Sequence, residues 1–116
     1  ITHPATKYYP INMKAVVKAA SRNDVILEIN ASSFNPKKSN PRGSKELTIQ
    51  LCKLAKKYGV QLSVNSDAHF HTQVGEVNHL FDILKEANIK DSDLINTSIG
   101  KVETFLGDNL IRKISV

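Results

Sequence analysis

This sequence predicts an α/β fold of alternating helices and parallel strands. Three observations carry that expectation. Apolar residues recur at three- and four-residue spacing in several stretches, short apolar runs of strand length lie between those stretches, and the two patterns alternate along the chain. Strands separated in this way by helical crossovers pair in parallel.

Asn12 is placed to cap a first helix whose positions Met13, Val16, Val17 and Ala20 form one apolar face, ending near Arg22 and Asn23. Val25 to Asn30 follows as a mostly buried parallel strand, with Glu28 as the anomaly inside it. From Ala31 to Gly43 the composition turns to Ser, Asn, Pro and Lys, and Pro36 and Pro41 argue for a long loop. Ser44 then caps a second helix, with Glu46 in its first turn, Leu47, Leu51, Leu54, Ala55 and Tyr58 on one face, and Gly59 as its left-handed stop. Val60 to Asn65 alternates as the next strand. A third helix is expected to carry Val77, Leu80, Phe81 and Leu84 inward. After the polar turn Lys90-Asp91-Ser92-Asp93, Leu94 to Thr97 reads as a short strand, and Ser98 caps a last helix bearing Val102, Phe105 and Leu106. The expected order is α-β-α-β-α-β-α, with no internal repeat.

At 116 residues the chain is one domain at most, and it is short for a complete β/α barrel, which takes more than about 200. The 16 Lys and Arg against 11 Asp and Glu give a formal charge of +5 that is spread along the chain, as a solvated surface requires. Cys52 is the single cysteine, so no internal disulfide can form, and its place in an apolar helical pattern suits a reduced thiol in a cytoplasmic protein. No run of 18 apolar residues is present, which argues against a membrane span, and the first residues lack the regions of a signal peptide. With no initiator methionine, the chain is expected to begin partway along a longer protein.

Chemistry concentrates where the second strand should end, at Ser66-Asp67-Ala68-His69. Strand ends of this kind face the active site in α/β sheets and barrels, and a carboxylate and an imidazole two residues apart there can serve one cavity. Spacing alone also allows a plain turn capped by Asp67 with an exposed His69. His3, placed before Pro4 and therefore expected to be extended, adds a second imidazole. A His, an Asp and a His match the donors that zinc, manganese or iron accept. His71 is a candidate for a supporting or substrate contact, and His79 reads as a structural histidine. Arg42-Gly43-Ser44 at a helix start, preceded by Lys37 and Lys38, offers unpaired amides and a guanidinium fork suited to phosphate, although an ordinary capped helix gives the same pattern.

Taken in order, Ile1-Thr2-His3-Pro4, Leu27 to Phe34, Arg42-Gly43-Ser44, Asn65 to His69 and Leu94 to Ser98 resemble the PHP family, named for polymerase and histidinol phosphatase, and especially its stand-alone phosphatase-like branch. That resemblance implies a single partial domain over residues 1–116, the C-terminal half of a distorted seven-stranded β/α (TIM-like) barrel with a multinuclear metal centre at its strand ends. It implies that His3, Asp67 and His69 are metal ligands. The family's opening histidines and its bridging glutamate would lie upstream of Ile1, and Glu28 does not match that glutamate.

The implied reaction is hydrolysis of a small phosphorylated substrate by divalent metal ions, with zinc the first expectation and manganese or iron the others. Asp67 serves as the central carboxylate ligand in that reading, while Arg42, Gly43, Ser44, Asn30 and Ser32 contact the phosphate. The chain by itself is then expected to be inactive. Two alternatives stand beside it: a PHP-type nuclease or polymerase-associated module, which the absence of a basic stripe interleaved with aromatics disfavours, and a non-catalytic half-barrel. Lone, such a half should self-associate through an exposed sheet edge.

Overall fold

Four α-helices and one parallel pair of strands form the described part of the computed structural model, residues 1–114 with side chains to 108. Helix α1 (Met13–Arg22) starts where the Asn12 side chain accepts the Ala15 N–H at 3.0 Å, and it buries Met13, Val17 and Ala20. Helix α2 (Lys45–Tyr58) starts where Ser44 Oγ accepts the Leu47 N–H at 3.2 Å, and it buries Thr48, Leu51, Cys52 and Ala55. Between and after them run strands β1 (Leu27–Asn30) and β2 (Leu62–Asn65), paired in parallel with Leu27 beside Leu62 and Asn30 beside Asn65. Helices α3 (Phe81–Glu86) and α4 (Ile99–Ile114) complete the order. Helix α1 packs on α2 and α2 on α3, and the core they share with the strands includes the fully buried Leu27, Leu51, Leu62 and Leu80. Burial of each such side chain stabilises the fold by about 1.5–3 kcal/mol before conformational entropy is charged against it.

One device ends three helices. The Val25, Val60 and Ile89 N–H groups reach back five residues to the carbonyls of Ala20, Ala55 and Leu84, at 2.9 Å in each case. Just before each donor lies a left-handed residue, Asp24 (φ 50°), Gly59 (φ 68°) or Asn88 (φ 53°). This closure satisfies carbonyls that the helix end leaves open and turns the chain toward the next element with an apolar residue leading.

The expected third strand is reduced to one parallel bridge between Leu94 and Leu62, followed by a 3-10 turn over Ile95–Thr97. A side chain takes the strand's place. Val64 N–H donates to Asn96 Oδ1 at 3.1 Å, and Asn96 Nδ2 donates to the Val64 carbonyl at 2.8 Å and to Asn65 Oδ1 at 3.2 Å. On the other side of the sheet the Ile1 amine donates to the Ile26 carbonyl at 2.9 Å, and the Ile1 carbonyl accepts the Glu28 N–H at 3.0 Å. Parallel neighbours bond in this alternating way. A segment of the chain thus lies against each flank of the two-stranded sheet, Ile1 beside β1 and Leu94 with Asn96 beside β2.

The third helix is also shorter and differently phased than its pattern suggests. A 3-10 turn over Asn78–Leu80 precedes α3, so Leu80, Ile83 and Ala87 point inward and Phe81 stays 58% exposed. On α4, Val102 and Phe105 are half-buried while Leu106 is exposed. Among the described residues no helix is long and apolar enough to cross a membrane.

Candidate metal and phosphate cleft

Strands β1 and β2 stop at the same register, and a cleft of about 550 Å³ opens near their ends. His3, Ser32, Lys37, Lys38, Arg42, Asp67 and His69 are among its lining residues. Three residues distant in the chain, His3 near its start and Asp67 and His69 past its middle, are thus brought to one cavity, beside three cationic side chains whose field favours an anion.

His3 is placed by β1. Its N–H donates to Glu28 Oε2 at 3.2 Å, and Asn30 Nδ2 lies 3.4 Å from its Nε2. With Asn30 donating, the Nε2 lone pair is turned to the amide, and a cation there would compete with Asn30 for it. Glu28 also accepts Asn65 Nδ2 at 2.8 Å, so this carboxylate joins the His3 segment, β1 and β2. That use explains the charged residue in an apolar strand, which sequence reasoning left as an anomaly.

His69 is placed by its neighbour. Its Nδ1 lies 2.9 Å from the Asp67 carbonyl, which can only accept, so the proton sits on Nδ1 and the Nε2 lone pair is left for a ligand. Asp67 and His3 share a further feature. Of the four non-glycine residues with positive φ among the described residues, Asp24 and Asn88 are the helix stops described above, and the other two are His3 (φ 52°) and Asp67 (φ 50°). His3 is therefore not extended as its place before Pro4 suggests; the Glu28 carboxylate that takes its N–H accompanies the different conformation. Left-handed backbone at such residues costs free energy and persists where the surroundings impose it, often at functional sites.

The phosphate set is only partly in the cleft. Arg42 and Ser32 line it, and Lys38 Nζ donates to Ser32 Oγ. Gly43 and Ser44 have internal partners: the Gly43 N–H donates to the Ser33 carbonyl at 3.0 Å, and Ser44 Oγ caps α2 and donates to Glu46 Oε2 at 3.1 Å. The expected helix-start anion cradle is therefore taken up by the fold itself. Asn30 is buried and accepts the Ser33 N–H at 3.1 Å, which makes it a support for His3 and the loop. His71 is exposed in a 3-10 turn over His71–Gln73 and does not line the cleft. His79 is half-buried, 3.6 Å from Glu76, as a structural histidine would be.

The donor chemistry of His3, Asp67 and His69 suits a divalent ion. Their spread does not complete a site, because among the described residues no three His, Cys, Asp or Glu side chains are close enough to hold one ion. Ser33, Ser39 and Asn40 are cleft residues that sequence reasoning did not single out. Small polar residues in a Pro- and Lys-rich loop look like solvated surface and carry no motif of their own.

A family model described as PHP-associated matches residues 50–104, the segment that carries Asp67, His69 and His71. Over that segment the chain resembles PHP-associated proteins. Among curated proteins, it is 37% identical over 106 residues to a protein of Thermoanaerobacter sp. (strain X514) and 38% identical over 106 residues to one of Shewanella sediminis (strain HAW-EB3), both named probable phosphatase. In each case the match covers 91% of this chain and 42% of the relative. The chain therefore spans about two-fifths of the length of the curated proteins it matches.

Proposed function

We propose that the intact protein is a metal-dependent phosphatase of the PHP type that hydrolyses a phosphomonoester, and that this chain forms the C-terminal half of its distorted β/α barrel. The observation that carries the reading is the shared cleft of His3, Asp67, His69, Ser32 and Arg42. Positive φ at His3 and Asp67, with no helix to end at either, supports a site rather than a chance grouping. The parallel bonding at Ile1 and Leu94, one on each side of the pair of strands, supports a sheet that continues in both directions.

In this reading His3, Asp67 and His69 hold divalent ions, zinc first and manganese or iron as alternatives, with the remaining ligands supplied by the rest of the protein. Bound divalent ions acidify water and neutralise charge on phosphoryl oxygens. Asp67 brings the only carboxylate that lines the cleft among the described residues, and His69 presents Nε2 because the Asp67 carbonyl holds its Nδ1 proton. Arg42 grips two phosphate oxygens with its fork, while Lys38 orients the Ser32 hydroxyl toward the same anion. Asn30 and Glu28 keep His3 in place.

The test is metal-dependent release of inorganic phosphate from 4-nitrophenyl phosphate by the full-length protein. Asp67→Ala is expected to lower kcat by about 100-fold or more, and the 116-residue chain assayed alone is expected to be inactive. Unchanged turnover in Asp67→Ala removes this carboxylate from the centre.

A further inference from the structure

A second cavity, of about 540 Å³, adjoins the cleft and shares His3, Asn40 and Arg42 with it. Its remaining lining is Thr6, Tyr8 and Tyr9. The two tyrosines contrast with the Lys- and Ser-rich wall of the cleft, so a molecule lying across both would meet cations at one end and aromatic rings at the other. From this juxtaposition we infer that the ester's leaving group carries a planar aromatic ring, bound against Tyr8 and Tyr9 while its phosphate lies at Arg42 and Lys38. The inference rests on the phosphatase reading and deepens it.

The connection between the two cavities is fixed by backbone. Thr6 and Gly43 form an antiparallel bridge, the Lys7 N–H donates to the Arg42 carbonyl at 3.2 Å, and Thr6 Oγ1 donates to the same carbonyl at 3.4 Å. Tyr8 is held as well, because its hydroxyl donates to Asn40 Oδ1 and Lys7 Nζ sits 5.5 Å from its ring centroid. Tyr9 differs: it is 73% exposed. An Arg42 backbone pinned beside aromatic rings is an arrangement that reads both ends of a phosphate ester of an aromatic alcohol, since offset or edge-to-face rings add to the area they bury. The cavity also falls within the usual size range of small-ligand sites, about 300–1,000 Å³.

Benzyl phosphate and cyclohexylmethyl phosphate make the test, because their leaving alcohols are close in reactivity and differ in planarity. Full-length protein is expected to prefer benzyl phosphate by about fivefold to tenfold in kcat/KM. Tyr9→Leu should bring the ratio to about one by lowering benzyl phosphate turnover, and Tyr9→Phe should restore the preference. A wild-type ratio near one, or an undiminished preference in Tyr9→Leu, overturns the inference. Should neither ester be hydrolysed, the phosphatase reading fails on its own. Titration with benzylphosphonate and cyclohexylmethylphosphonate then decides the aromatic site: tighter benzyl binding that Tyr9→Leu abolishes supports it, and equal binding overturns it.

Discussion

His3 and Asp67 show how a residue can be worse for the fold than its replacement and still be placed by it. At φ 50°, Asp67 sits in backbone that glycine adopts freely, and no hydrogen bond or ion pair of its carboxylate is present among the described residues. Asp67→Gly is therefore expected to stabilise the protein by about 1 kcal/mol in urea unfolding while abolishing phosphatase turnover. Equal or lower stability would mean that the carboxylate is held by something else. Cys52 gives a pH-dependent counterpart. Burial first, and the negative charge of Asp93 second, push its thiol from 9.0 up to about 12. The folded chain keeps this proton where the unfolded chain releases it, so the contribution is full below pH 9 and is lost as pH rises from about 9 to about 12, at about 1.4 kcal/mol per pH unit. Urea unfolding at pH 8 and pH 10 should show a smaller loss in Cys52→Ala than in the wild type.

Helices α1 and α2 and their caps were legible in the sequence because everything that starts and stops them is local: Asn12, Ser44 and Gly59 act within five residues of themselves. Gly59→Ala places a Cβ where no atom lies within 4 Å, so its cost comes from the φ of 68° alone and should be about 1 kcal/mol in the same unfolding assay. An unchanged midpoint would show that the α2 closure tolerates an L side chain. The third strand was not legible, since the groups that would pair with it are taken by the Asn96 carboxamide, 32 residues away from Val64. The inward reading of Phe81 failed for a local reason: a 3-10 turn reset the phase of a helix only six residues long. In the cleft, the residue types at the strand ends could be read, but the left-handed backbone of His3, whose N–H is taken by Glu28 from β1, could not.

Taken as one body, the chain leaves Ile1, Tyr9, Phe70, Val74, Phe81, Ile99 and Leu106 each more than half exposed. It also spans only 42% of the relatives it matches, whose other parts are natural partners for such side chains. The isolated 116-residue chain is expected to self-associate through these faces, with a sedimentation coefficient that rises with concentration. A single concentration-independent monomer would show that the exposed apolar groups are too scattered to act together. The net charge of +5 opposes association at low salt and is screened at high salt, so the effect should grow with ionic strength.

Asn96 has a consequence for how such association can proceed. By holding the Val64 N–H and carbonyl, its amide occupies the backbone groups that an incoming strand from another molecule would have to claim. Edge-to-edge pairing at that flank must first displace one side chain, so the same amide that substitutes for the missing strand also blunts the edge of β2.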